Sequence, residues 1–552
     1  MDRRELLARA GSALCAISAS SMLGGCRRPD DAVTQPSIEL GVAPLPPAPP
    51  TSAVVTTTST TVPAESSILA GWVARENRLT GTDAWRILDP TRPTERWRSD
   101  GMIEGYADTT TTRPGDTVVL RVQTPAAAWH VEVYRMGWYG GAGGRLVWTS
   151  DDLPGVPQLS DSFDRETRMV RARWKPMIEI PIGDDWLPGS YLCKLVSSTG
   201  AASYVPITVR RDDAPGGPLL VSAVTTWQAY NPWGGRSLYE NFGPGDRLDR
   251  SRVVSFDRPY ALSYAWGAAD FLTHELPLIM LVEELGIDLG YATDIDLHTS
   301  EAEADDLLAG RTAVLTTGHD EYYSRAMRTT LERARDRGVN LAFFGANAVY
   351  RHIRLEESEE GLAHRQMVNY RTASADPLTE SEPSQSTVQW RNAPLSAPEN
   401  ALIGVQYFAA GVTAPMRLVD TENWVFDGVD VSTQRTLRGL VAIEADGLGP
   451  ASSEPDGLQV LASSPVSYRG VSYDHAMTYY SASSGAGVFA TGTIGWIMAL
   501  DEAMWDDPPV SSVVRDVTSN VLRTFAEGPS GREHPSSGTA DAYRGSVGPA
   551  DD

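Results

Sequence analysis

The chain has 552 residues, 41% hydrophobic and 21% charged, which is too long for one ordinary core and apolar enough for most of it to fold. A net charge of −24 argues against nucleic acid as a partner, since phosphate binding needs a surplus of Lys and Arg, and no basic tract for anionic headgroups is present. Three cysteines supply no disulfide framework and no thiolate cluster for zinc or iron–sulfur binding.

Residues 1–25 read as an address, to be set aside from fold reasoning. Met1 to Ala10 carries Arg3, Arg4 and Arg9, and Gly11 to Leu23 is small and apolar. The ending Leu23-Gly24-Gly25-Cys26 resembles a bacterial lipoprotein signal, in which Cys26 receives lipid. Arg3-Arg4 ahead of Leu6-Leu7 also resembles a twin-arginine signal, so the export route stays open. The apolar run is shorter than the ~20 residues of a bilayer span. The expectation is an exported protein on the extracytoplasmic face of the cell membrane, held by its N-terminal lipid. With Cys15 in the signal and Cys26 lipidated, Cys193 has no partner and packing alone holds the fold. Residues 26–66, rich in Pro, Thr and Ser, predict a disordered tether that at ~3 Å per residue reaches on the order of 100 Å.

Residues 67–212 read as all-β. Asp116–Gln123 and Trp129–Tyr134 alternate apolar and polar, and further strands are expected over Arg145–Ser150, Met169–Ile182, Ser190–Ser197 and Ser203–Arg210. Short strands at this spacing predict an immunoglobulin-like β-sandwich. The glycine-rich stretch from Gly137 to Gly144 lies between strands with no helix to cradle phosphate, so it reads as a hairpin carrying exposed Trp138 and Tyr139, with packing between domains as the alternative for Trp138.

The period changes over 217–527, expected as an α/β domain with a mostly parallel sheet of the glutamine-amidotransferase/flavodoxin-like kind. Strands are predicted at Leu219–Val224, Ile287–Thr293, Thr312–Thr317 and Val339–Gly345, and helices at Asp270–Leu285, Glu301–Leu308, Ser324–Gly338 and Val510–Ala526. Residues 385–500 return to strand-like segments, and 528–552 read as a disordered tail.

Ligands of an open parallel sheet bind outside the carboxyl ends of its strands. Tyr230 and Tyr239 follow the first predicted strand, His319-Asp320-Glu321 the third, and Asn347 the fourth, so His, Glu, Asn and several Tyr converge on one crevice. No Gly-x-Ser-x-Gly elbow, Walker loop, His-Glu-x-x-His or dinucleotide fingerprint occurs. A hydrolase on this sheet would need an activated water, hence a metal or a general base, and the oxygen and imidazole ligands at hand favour a hard or borderline cation. Each residue also has a structural reading: packed tyrosine rings, a His319/Glu321 pair at a helix N-terminus, Asn347 in an ordinary turn. His352, His475, Arg236 and Asp320 read as structural.

Four motifs carry a specific resemblance: Tyr134-Arg-Met-Gly-Trp-Tyr-Gly-Gly, Thr226-Trp-Gln-Ala-Tyr-Asn-Pro-Trp-Gly-Gly, Gly318-His-Asp-Glu-Tyr-Tyr, and Val339-Asn-Leu-Ala-Phe-Phe-Gly-Ala-Asn-Ala. Together they resemble the N,N-dimethylformamidase large (beta) subunit family over roughly residues 70–527. The resemblance implies amide hydrolysis at a mononuclear ferric (Fe(III)) site held by Tyr230, Tyr239 and Glu321. His319 and Asn347 would match residues that assist or contact substrate, with His319 or a nearby carboxylate accepting a water proton. A small partner subunit is a further implication. Two rivals come from other classes: a catalytically silent surface protein that binds glycan or another envelope component, and a degenerate amidotransferase-like fold, against which the missing cysteine elbow weighs.

Overall fold

The computed structural model describes residues 70–88, 102–158, 161–214, 216–241 and 249–544. The expected signal, tether and Cys26 lie outside these residues. Helix α1 (Trp72–Glu76) comes first, and its amino end is fastened to Asp288, whose carboxylate accepts the backbone N–H groups of Gly71 and Val73.

Alternating apolar residues then build β1 (Glu104–Ala107), β2 (Thr117–Gln123), β3 (Ala128–Met136), β4 (Gly144–Thr149), β5 (Ile178–Pro181), β6 (Gly189–Ser197) and β7 (Ala202–Val209). β1, β2 and β5 form a three-stranded antiparallel sheet in that order. β7, β6, β3 and β4 run side by side in a second, six-stranded sheet completed by short strands at 111–112 and 153–154. Val118, Leu120 and Ile180 of the first sheet meet Val131, Val133, Cys193, Leu195 and Ile207 of the second in one apolar core. The strand expected over Met169–Ile182 is instead two pieces, Val170–Ala172 and β5, because Pro176 between them has no N–H to give a ladder.

The chain continues through β8 (Gly217–Ser222), α2 (Val224–Tyr230), α3 (Leu276–Glu284), β9 (Gly290–Thr293), α4 (Glu301–Leu308), β10 (Arg311–Thr316) and β11 (Tyr322–Tyr323). There follow α5 (Arg325–Asp336), β12 (Asn340–Phe343) and β13 (Arg351–His352). Beyond residue 400 come β14 (Gln406–Arg417), β15 (Thr436–Gly447), β16 (Gln459–Tyr468), β17 (Val471–Ser481), β18 (Gly487–Ala490) and α6 (Pro508–Glu527). Nine of these strands form one sheet in the order β9-β8-β10-β12-β18-β17-β15-β14, with β16 on β17. The first five are parallel and the rest antiparallel, so the strand-like segments after 385 extend the sheet at one side. Along the parallel part, the second strand in sequence lies outermost, followed by the first, third, fourth and fifth. The helix expected over Asp270–Leu285 breaks at Glu275: Pro277 sits in the first turn of α3, where its missing N–H costs nothing.

The two regions share a core. Met136, Leu192 and Tyr204 pack into the same cluster as Leu220, Leu278 and Val282. Through that contact runs a buried polar joint. Arg135 meets Glu283 at 2.6 Å, Tyr291 donates to Glu283 at 2.8 Å, and Tyr139 donates to Glu76 at 2.6 Å. A Cβ on Gly137 would fall 2.2 Å from the Glu283 carboxylate, which is why glycine stands there. The Arg-Met-Gly-Trp-Tyr motif is therefore the seam between the regions. Tyr139, expected to be exposed, is buried in that seam. Residues 528–544, expected as a disordered tail, pack along the sheet: Ser530 bonds Asn340, Thr539 accepts from Val460 at 3.0 Å, and Ala540 is buried.

Candidate functional site

The order of the parallel strands reverses between β8 and β10, and a crevice opens at the carboxyl ends of strands at such a point. Tyr230 ends α2, directly after β8. The loop after it folds back through a Leu238 N–H bond to the Ala229 carbonyl, which brings Tyr239 against Tyr230. Their rings stack with centroids 4.2 Å apart. His319 and Glu321 follow β10. The Glu321 N–H donates to the Thr226 hydroxyl, and the Glu321 carbonyl accepts from both Tyr350 and Arg351, so its backbone is locked from two sides. A Cβ on Gly345 would lie 2.1 Å from the Gly318 carbonyl oxygen; only glycine lets the loop after β12 press against the one after β10. That approach sets a single bridge between His319 and Ala346 and places Asn347 beside the site in a left-handed conformation (φ 59°) that Asn tolerates.

Five residues singled out from the sequence thus meet at one place. The Glu321 carboxylate, 1% exposed, lies 2.8 Å from the Tyr230 hydroxyl and 2.6 Å from that of Tyr239, and the two hydroxyls lie 2.8 Å apart. Arg351 donates to Glu321 at 3.2 Å, and the Arg371 guanidinium sits 4.1 Å above the Tyr239 ring. His319, 5% exposed, places Nε2 3.7 Å from Glu321 and 3.6 Å from Glu444. Asn347 donates its backbone N–H to Asp446 at 2.9 Å. The helix-cap reading of His319 and Glu321 does not hold, because the next helix, α5, takes its cap from the Ser324 hydroxyl.

Electrostatics follow from burial. Loss of water, reinforced by the neighbouring Glu321 charge, holds both tyrosine hydroxyls well above their ordinary value near 10, so they keep their protons without a cation. Burial lowers the His319 pKa against the opposing pull of Glu321 and Asp270, leaving a neutral imidazole. Burial, with Glu321 adding, raises Glu444 well above an ordinary glutamate.

Against an ionised Glu321, two hydroxyl protons serve four close oxygen–oxygen contacts, since Tyr239 lies within 2.7 Å of both carboxylate oxygens, so contacts outnumber protons. His319 Nε2, Glu444 Oε2 and Asn347 Oδ1 are buried nearby without hydrogen-bond partners. A cation among the three oxygens fits both observations. Among the described residues no three His, Cys, Asp or Glu side chains are arranged to hold a metal, so one here needs the phenolic oxygens, which are hard donors.

Glu444 and Asp446 were not singled out from the sequence, because they lie in antiparallel β15, about a hundred residues past the motifs. A local signal exists: Leu440-Val-Ala-Ile-Glu-Ala-Asp places two acids in an otherwise apolar strand. The backbone marks the same spot. Ile443 has φ 69°, costly for a β-branched residue, opposite a register shift between Ala410 and Val412 that turns Glu444 toward His319.

The family described as N,N-dimethylformamidase beta subunit-like, C-terminal, matches residues 130–508. No curated protein matches the sequence. Among solved structures, a Paenibacillus sp. cycloisomaltooligosaccharide glucanotransferase in complex with cycloisomaltoheptaose aligns at 8% identity over 68% of each chain, with a TM-score of 0.15, too low to inform either fold or function.

Proposed function

Because the chain belongs to the N,N-dimethylformamidase beta subunit-like family, we propose that it is a metal-dependent hydrolase of small amides or related carbon–nitrogen bonds. Tyr230, Tyr239 and Glu321 would hold a ferric ion through one oxygen each. The observation that carries this reading is the cluster of the two tyrosine hydroxyls and the Glu321 carboxylate, in which close oxygen contacts outnumber the hydroxyl protons. Bound there, the ion supplies Lewis acidity, which polarises an amide carbonyl and acidifies water.

The chain's own residues do the rest. Arg351 fixes Glu321, and Arg371 favours the ionised form of Tyr239. His319 and Glu444, 3.6 Å apart, form a pair able to take the proton of an attacking water and return it to the departing amine. Asn347, whose side chain hydrogen-bonds Glu444, keeps its Oδ1 free to accept a hydrogen bond from a substrate N–H or the attacking water.

The fold reading that accompanies this is an immunoglobulin-like sandwich followed by a flavodoxin-like α/β domain, supported by the two facing sheets and the order of the five parallel strands. Export and lipid anchoring at Cys26 rest on the sequence of residues 1–26. Among the described residues no helix is long and apolar enough to cross a membrane.

The test is iron content and visible absorbance of full-length protein produced with added iron. Near-stoichiometric iron with a phenolate charge-transfer colour is expected, reduced by Tyr230→Phe and abolished with the iron by Glu321→Ala while the fold is kept. A colourless protein that takes up no iron, or an E321A variant that retains it, overturns the assignment.

A further inference from the structure

A cleft of about 540 Å³ shares no lining residue with the Glu321 centre and plays no part in the proposed chemistry. That volume suits a small organic ligand. It lies beside the amino ends of α4 and α5, and its lining includes His298, Ser324, Arg325, His352, Arg354 and Gln385.

Three basic side chains of this cleft are held by three consecutive carbonyls. Ser384 accepts from Arg325 at 3.2 Å, Gln385 from Arg354 at 2.8 Å, and the Ser386 carbonyl lies 2.8 Å from His352 Nδ1. A carbonyl can only accept, so Nδ1 carries the ring's proton and Nε2 of the neutral imidazole is a bare acceptor. His352 is 1% exposed, lines the cleft, and has no partner at Nε2 among the described residues. Burial, with Arg325 and Arg354 adding to it, holds its pKa down at about 4.

The charges differ in how they are committed. Glu301 pairs with Arg333 at 3.0 Å, and Arg354 meets Asp376 at 2.8 Å and Glu356 at 3.5 Å. Arg325 is exposed and faces no carboxylate among the described residues. It is also the first residue of α5, where the Met327 N–H is taken by the Ser324 hydroxyl and those of Arg325 and Ala326 are left without intrahelical acceptors.

We propose that this cleft binds a small hydroxy-carboxylic acid, its carboxylate on Arg325 and the first amides of α5, its hydroxyl donating to His352 Nε2. Alternation along β13 separates the two sites: Arg351 turns to Glu321 and His352 to the cleft. The proposal does not depend on the hydrolase reading.

The test is calorimetric titration of the full-length protein with glycolate and with acetate, alongside ¹⁵N spectra of labelled histidine. Saturable glycolate binding is expected, about tenfold tighter than acetate because acetate has no hydroxyl to donate to His352 Nε2. The His352 Nε2 resonance should move with glycolate alone. Arg325→Gln should weaken both ligands about tenfold, since a charge-assisted bond is lost from an exposed residue. Glu321→Gln should leave glycolate affinity unchanged. Absence of saturation, equal affinity for the two acids with an unmoved His352 signal, or an unaffected R325Q variant overturns the proposal. Loss of binding in E321Q would place the acid at the Glu321 centre and overturn it as well.

Discussion

At the scale of single residues, the centre is decided by which groups keep protons after losing water. Glu444 and His319 are the proposed proton carriers, so Glu444→Gln keeps the shape and removes the carboxyl that exchanges the proton. We expect kcat to fall about 10²–10⁴-fold with KM little changed and iron content retained. An E444Q enzyme with wild-type turnover would reduce Glu444 to packing. Glu275 offers a separate test. Burial raises its pKa to about 8 from 4.5, against hydrogen bonds from the Ala223 N–H and the Thr317 hydroxyl. The folded chain thus holds a proton that the unfolded chain releases above the ordinary glutamate value. Its stabilising share is complete below that value and is lost as pH rises through the folded pKa. Urea unfolding should therefore show stability declining from about pH 5 to about pH 8, this group adding up to roughly 1.4 kcal/mol per pH unit. Glu275→Gln should remove that share, and an unchanged slope in the variant would contradict it. Sequence alone brought out Tyr230, Tyr239, His319, Glu321 and Asn347 because each follows a predicted parallel strand, and all but Tyr239 stand within a dense motif. Glu444 escaped because strand register, set by a bulge against a neighbouring strand, decides where it points.

At the scale of elements, what holds β3 against α3 is the Arg135–Glu283 pair, with both side chains fully buried. Breaking one half leaves a charge with no water and no partner. Arg135→Ala should cost about 3–5 kcal/mol by chemical denaturation, and replacing both residues with apolar ones of similar size should cost less than that single change. The reverse ranking would mean that the pair itself, and not the stranded charge, supplies the stability. The parallel strands β8, β9, β10 and β12 were legible because apolar runs alternate with helical periods between glycine stops. Periodicity failed where a proline intervened. Pro176 split one expected strand, and in the helical region Pro277 marked the start of α3 rather than its interior.

At the scale of the whole molecule, the sandwich keeps a core of its own, but a second apolar cluster runs from Trp72 and Tyr204 through the large sheet to Phe525 and joins the two regions. Residues 217–544 produced alone should lose the packing that Met136, Leu192 and Tyr204 give the shared cluster, bind hydrophobic dye and aggregate. A soluble, monodisperse fragment would show that the shared cluster is dispensable. Sequence composition announced the two regions but not their fusion, since an apolar side chain facing another region reads the same as one facing its own. The anchoring of Gly71 and Val73 to Asp288 has a practical consequence. Asp288 stands two residues ahead of β9, at the amino edge of the parallel strands, whereas Tyr230, Glu321 and Asn347 follow the carboxyl ends. A resin, electrode or fusion partner joined just ahead of residue 70 therefore acts on the edge of the sheet opposite to the one that carries the Glu321 centre.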